Sequence, residues 1–259
     1  MMHNTNDQPL NPLKAQPKRA DDFPYYAGNP VAFNGLQWLL IILSLALASY
    51  CLMMPWPWAQ NGIGVFASAF LFAGIPLFAL VMLNGQPWRA LFRPLRWRDG
   101  AWMIGTAIVN LIVTILIGML LSHLASVSSN PAMEQIQNQS TQQLEVFFLR
   151  TIIQLFGEEL ISIVPFLGLM TLFSYWGLKR SQSLALAILG TAVWFAVLHL
   201  PTYEWRIFQC LLVIGSARII LLIPYLVTKN ILVCAGAHII NDWLLFTIFL
   251  IGTKYAAVG

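Results

Sequence analysis

The sequence predicts an all-α fold, a polytopic membrane helix bundle of about seven transmembrane helices. Three observations predict it. Hydrophobic residues make up 58% of the 259-residue chain and charged residues 9%. An ordinary soluble domain carries roughly 25% charged residues, and a soluble fold could not cover so much apolar surface. The apolar residues are gathered into blocks close to the ~20 residues a helix needs to cross the hydrocarbon core. These blocks follow one another with short connections and no Gly/Ser linker, so a polar N-terminal tail (1–34) leads into one transmembrane domain (35–259).

In chain order, the Pro-rich tail places Lys14, Lys18 and Arg19 ahead of the first block, which superficially resembles a signal peptide. The block is too long and its polar lead too extended for one. Tyr50 is also too bulky for a lipoprotein-type cleavage before Cys51, so Gly35 to Met54 is expected to stay as a helix. The remaining spans are Gly62 to Leu83, Ala101 to Leu121, Val146 to Phe173, Ser183 to Leu200, Ile207 to Val227 and Ile231 to Ile251. Trp56, Trp58, Trp88, Trp97, Trp176 and Trp205 fall at span ends, where indole rings favour the headgroup region.

The loop between the second and third spans contains Arg89, Arg93, Arg96 and Arg98, whereas residues 122–145 contain no Lys or Arg. The positive-inside rule therefore puts the arginine loop and the N-terminus in the cytoplasm. Lys179, Arg180 and Lys229 then fall inside too, and the C-terminus outside. This placement accounts for the net charge of +4 by a lipid bilayer and argues against a nucleic-acid partner. Cys51, Cys210 and Cys234 lie in or beside apolar segments without metal-ligand spacing and read as small buried hydrophobes. Asn138-Gln139-Ser140 matches a glycosylation sequon, a weak pattern read as accidental. No internal repeat is evident, so the Pro-interrupted fourth and sixth spans are the sole hint of an inverted-repeat transporter.

Function is sought in the residues that break the apolar pattern, because an ionisable group in a span is costly and marks a site by default. The fourth span contains adjacent Glu158 and Glu159, followed by Pro165. Two adjacent carboxylates are not both cheaply ionised in a low-dielectric site unless a cation or metal stands beside them. Arg218, in the sixth span, is the expected partner of one of them. The plainer alternative is that the glutamates cap a helix broken at Gly157 or line a polar channel. The fifth span ends with Phe195 and His199, four apart and on one helix face; taken alone, His199 reads as an interfacial residue. The seventh span carries His238, Asn241 and Asp242 at i, i+3 and i+4 after the small residues Ala235, Gly236 and Ala237. Such a stripe can be interhelical glue where backbones approach closely.

Together these groups can supply a base, a water-orienting group and donors to an oxyanion, the parts hydrolysis needs. They can equally supply a metal site. Glu158, His199 and His238 are three N/O ligands of the kind a catalytic zinc takes, leaving a fourth position for water and Glu159 as base. The cofactor thus stays open between none and a divalent metal. One geometric difficulty remains: counted along straight helices, Glu158 and His199 lie roughly 25 Å from the inner ends of their spans and His238 about 10 to 15 Å.

The Glu158-Glu159 pair, Phe195 to His199 and His238 to Asp242 come in order on successive apolar segments. In this the segment from about Val146 to Phe249 resembles the CPBP family, the CAAX-protease and bacteriocin-processing intramembrane proteases also called Abi proteins. The resemblance implies an intramembrane endopeptidase acting on a peptide or membrane-associated protein, in a bacterial plasma (inner) membrane. It implies that Glu158 activates water with His199, that His238 and the residue four later stabilise the oxyanion, and that Glu159 supports them. It does not imply prenylated substrates. Two departures stand out. The family's Arg five residues after the first Glu is Ile163 here, with Arg218 as the proposed substitute, and Asp242 stands where Asn is frequent. An ionised Asp would repel an oxyanion, so either Asp242 holds a proton, Asn241 takes the role, or Asp242 binds a metal.

Two other readings remain: a catalytically silent, protease-like immunity or scaffold protein, and a proton-coupled transporter with a carboxylate–histidine relay. The topology is testable in a Cys51→Ser background. A Ser129→Cys variant should react with a membrane-impermeant maleimide in intact cells, and an Arg96→Cys variant only after permeabilisation. The opposite pattern would invert the assignment.

Overall fold

The structure, a computed structural model, describes residues 22–57 and 64–256. Lys14, Lys18, Arg19, Trp58 and Gly62 lie outside the described residues. The described residues form helices and no strand: α1 (Gly35–Met53), α2 (Gly64–Asn84), α3 (Trp97–Leu124), a short α4 (Pro131–Ile136), α5 (Thr141–Tyr175), α6 (Arg180–Leu198), α7 (Ile207–Thr228) and α8 (Ile231–Ala256). Seven of these, all but α4, are long and apolar enough to cross a membrane. The protein is an integral, multi-pass membrane protein. Its span ends lie within a few residues of those expected, except that α5 begins earlier, at a capping box in which Ser140 and Gln143 satisfy each other's backbone N–H.

Helix α5 is the axis of the bundle, packed by α2, α6 and α8. Pro165 lies inside it without ending it. Proline has no N–H, so the carbonyl four residues earlier, that of Ile161, loses its helical donor. The indole Nε1 of Trp194, on α6, donates to that carbonyl at 3.0 Å. A neighbouring helix thus satisfies the break, as lipid-embedded backbone requires. Around this axis α1 and α3 turn Leu39, Leu43 and Leu47, and Ile104, Ile108 and Ile112, outward, where lipid solvates them.

The turn between α7 and α8 is recessed within the bundle. The ring of Tyr225, just before it, packs against Phe166 of α5 at 6.2 Å between centroids. Phe166 lies nine residues before the end of α5, so α5 continues past this level by roughly 14 Å. The space below the turn is filled from the N-terminal side. Of the stretch read as a polar tail, the described part tucks Phe23, Tyr25, Tyr26 and Phe33 into the core. Phe23 stacks on Tyr225, Lys229 lies 5.8 Å above its ring, and Asp22 pairs with Arg180 at 2.7 Å. Asn230, in the turn, donates to the carbonyl of Arg93 at 2.9 Å. Because α8 starts this deep, His238 reaches the level of Glu159 although it sits only two turns into its helix. That resolves the mismatch of depths, which assumed that all spans start from one plane.

Gly157 sets the distance between α2 and α5: a Cβ there would overlap the ring of Phe72, itself buried. Gly157→Ala should therefore destabilise the protein by about 1–3 kcal/mol, the usual range for overpacking. Adding Phe72→Leu should recover part of the loss. Thermal unfolding in detergent checks both, and an unchanged Tm for Gly157→Ala would show that the helices can part without loss.

Candidate active site

Neighbouring residues on a helix point about 100° apart, so Glu158 and Glu159 enter different surroundings. The Glu159 side chain is fully buried, whereas that of Glu158 is 15% exposed. Glu159 meets Arg218 of α7 in a bidentate pair, with Nη1 to Oε2 at 3.0 Å and Nη2 to Oε1 at 2.9 Å, and Arg218 is fully buried too. The fork geometry is the strong form of this interaction. The Cys234 thiol lies 2.7 Å from Glu159 Oε2, and the Phe195 ring lies under the guanidinium at 4.3 Å. A five-residue π-helical segment, Cys210–Ile214, precedes Gly215 in α7. A Cβ at Gly215 would rest in ordinary contact with the Ala192 carbonyl and Ala196 Cβ of α6, so the two helices run close one turn before Arg218.

His238 of α8 is tied to the same carboxylate. Its Nδ1 is 2.7 Å from Glu159 Oε1 and 3.3 Å from Arg218 Nη2, and the shorter contact identifies Nδ1–H as a donor to Glu159. Its other nitrogen, Nε2, faces Glu158 Oε2 at 3.9 Å and Asp242 Oδ1 at 3.7 Å. The Asn241 amide donates to Asp242 Oδ1 at 2.9 Å and accepts from Asn110 of α3 at 3.0 Å. Glu158, in turn, accepts from Gln154, one turn earlier, at 3.3 Å.

His199 stands at the C-terminal cap of α6 with Nδ1 2.8 Å from the Phe195 carbonyl. A carbonyl oxygen only accepts, so Nδ1–H is the donor and the neutral ring carries its free lone pair on Nε2. Glu158, His199, His238, Asn241 and Asp242 all line one cavity of about 650 Å³, with Arg218 in its wall. The cavity extends to residues 128–133, in the loop without Lys or Arg. Glu159 lies behind the wall, reached through His238.

Several residues here escaped the sequence reading. Asn110, Gln154 and Tyr203 line the cavity. Burial first, and then the nearby Asp242, Cys210 and Glu158, push the Tyr203 phenol up from its ordinary range, so it keeps its proton as a donor. Cys234, expected to be a plain hydrophobe, contacts Glu159 instead. The available signal was spacing: Tyr203 follows His199 by four residues, and Gln154 precedes Glu158 by four.

Among the described residues, no group of three or more His, Cys, Asp or Glu side chains is gathered closely enough to hold a metal ion. The Nδ1 of each histidine is engaged, that of His238 by Glu159 and that of His199 by the Phe195 carbonyl, an arrangement that leaves Nε2 available; even so, Glu158, His199 and His238 do not come together in ligand geometry.

Residues 140–244 match a family model described as Rce1-like, type II CAAX prenyl endopeptidase Rce1-like. This stretch, about two fifths of the chain, is similar to the Rce1-like family. It contains Glu158, Glu159, His199, His238, Arg218, Asn241 and Asp242, and the similarity supports a membrane-embedded, CAAX-type protease whose substrates are peptides or proteins. No curated protein and no solved structure matches the chain.

Within the Rce1-like segment, position 163 lies one turn after Glu159 and is buried Ile. Arg218 supplies from α7 the cation that an Arg at 163 could supply from α5. Arg218→Met should cost about 3–5 kcal/mol by leaving a buried carboxylate unpaired. Adding Ile163→Arg should restore part of that stability, read as Tm of the purified double variant against Arg218→Met. A double variant no better than the single one would show that the two positions are not interchangeable.

Proposed function

We propose that the protein is an intramembrane endopeptidase in which Glu158 activates water to hydrolyse a peptide bond of a peptide or membrane-anchored protein. The supporting observation is the unequal treatment of two adjacent glutamates. Glu159 is neutralised by Arg218 and His238 in the buried interior, while Glu158 borders a cavity large enough for an extended segment and has, among the described residues, a single amide as its side-chain hydrogen-bond partner.

In this reading Glu158 takes a proton from a water held between it and His199 Nε2, and the water oxygen adds to the scissile carbonyl carbon. The carbonyl oxygen becomes an oxyanion and is met by Nε2–H of a protonated His238 whose Nδ1–H is occupied by Glu159. Tyr203, and the second amide proton of Asn241, are the nearest further donors. Asp242 then serves as the charge partner that orients His238 rather than as an oxyanion donor, which removes the objection to an Asp at that position. Collapse of the intermediate breaks the C–N bond, and Glu158 returns the proton to the leaving amine.

By the positive-inside assignment, the cavity would be reached from the non-cytoplasmic side, and the segment 146–249 would act as the catalytic core of the 35–259 domain. A silent immunity or scaffold protein is less well supported, since Arg218 and Asp242 answer the two departures that suggested it. Glu158→Gln should lower cleavage of a mixed peptide library by about 10²- to 10⁴-fold, the usual contribution of a general base, without a change in Tm. Mass spectrometry of the products reads the result. Cleavage at the wild-type rate would refute Glu158 as base.

A further inference from the structure

A second cavity, of about 600 Å³, adjoins the first and shares Leu52, Gln135, Phe147 and Arg150 with it. Its walls also carry Ser68, Gln139 and Gln143. Apart from Arg218, Arg150 is the only Lys or Arg lining either cavity among the described residues. Among the described residues its sole hydrogen bond is a long one, 3.4 Å from Nη2 to Ser68 Oγ, and its buried Nε has no partner. No carboxylate among the described residues stands within ion-pair distance of it. The Gln139 side-chain oxygen in the same cavity is buried and unpartnered as well. An unpaired guanidinium within a span is expensive and calls for a partner.

The partner can be placed by geometry. Arg150, Gln154 and Glu158 all line the first cavity from one helix, and Arg150 lies eight residues, roughly 12 Å, from Glu158. An extended peptide covers about 3.3–3.6 Å per residue, so the guanidinium stands roughly three to four residues from a bond cleaved at Glu158. Arg150 also faces α2 inside the bundle, while its neighbours Leu149 and Ile152 carry the lipid-facing side. This favours a peptide in the cavity over a lipid headgroup.

We propose that the second cavity receives the flank of the peptide substrate and that Arg150 binds a carboxylate on it, three to four residues from the scissile bond. The carboxylate comes from an acidic side chain or from a free C-terminus. The unpartnered Gln139 oxygen accepts a backbone N–H of the same segment. The proposal rests on Glu158 being the catalytic base, so its test separates binding from cleavage.

Binding is measured on full-length Glu158→Gln protein in zwitterionic nanodiscs, using fluorescent apolar peptides of one sequence. One set carries a single Asp, or Asn in its place, at successive positions, and the other a free or amidated C-terminus. A carboxylate peptide should bind roughly tenfold or more tightly than its neutral twin, at one spacing only. The second substitution Arg150→Gln should abolish that difference, and Arg150→Lys should keep part of it. The Asp and C-terminus arms tell the two sources apart. Equal binding of charged and neutral peptides, or a preference that survives Arg150→Gln, overturns the proposal. So does an Arg150 effect seen only with anionic lipid in the nanodiscs, which would mark a headgroup site. Cleavage that persists in Glu158→Gln would count against the catalytic reading instead, and the binding comparison would still decide the role of Arg150.

Discussion

The buried pair of Arg218 and Glu159 is the constraint on which the rest of the site depends. Two charges removed entirely from water are tolerable only when each satisfies the other with good geometry and further hydrogen bonds fill the remaining capacity. That requirement recruits three further helices around α5. Helix α7 brings Arg218, α6 lays the Phe195 ring under it, and α8 sends Cys234 and His238 to the same carboxylate. A motif that looks in sequence like a catalytic list is, in space, largely one charge and its compensation. Phe195 shows this well: its ring meets the cation while its carbonyl holds His199, so one residue couples the interior pair to the cavity wall.

The pair also explains how adjacent glutamates acquire different work. A helix must point neighbouring side chains apart, and a bundle has an inside and a cavity side, so the two carboxylates could not have shared one environment. Glu159 faces inward and becomes structural, fixing the His238 ring. Glu158 is left facing the cavity at the edge of that positive cluster, with Gln154 as its own partner. The hydrolytic chemistry proposed for Glu158 therefore needs Glu159 as much as it needs water, although Glu159 touches neither water nor substrate.

Much of this was legible in the sequence because membranes enforce a simple rule: apolar residues make spans, and exceptions make sites. The seven spans followed from it, and the exceptions supplied both the motifs that carry the family resemblance and the short list of residues that the fold gathers around one cavity and the wall behind it. What stayed illegible involved relations between helices. Hydropathy gives the length of a span but not its depth, so the recessed turn before α8 was hidden, as was the aromatic segment around Phe23 that fills the space beneath it. Pro165 reads as a helix break until Trp194 arrives from another helix to cap the Ile161 carbonyl. Asn110, Gln154, Tyr203 and Cys234 are uncharged, and uncharged polar residues are too common in spans to stand out.

Ile163 illustrates the limit of reading a motif by position alone. An Arg five residues after the first glutamate is four residues after the second, and on a helix four residues is one turn. The in-helix cation would thus have met Glu159, the carboxylate that Arg218 meets from α7. What the site requires is a cation at Glu159, and its origin in the chain is secondary provided the surrounding packing admits it. Here Ile163 fills the core on the α5 side, and Arg218 enters it fully buried from the α7 side. The apparent loss of a motif residue is, by this argument, a change in which helix carries the charge, and the interaction itself is retained.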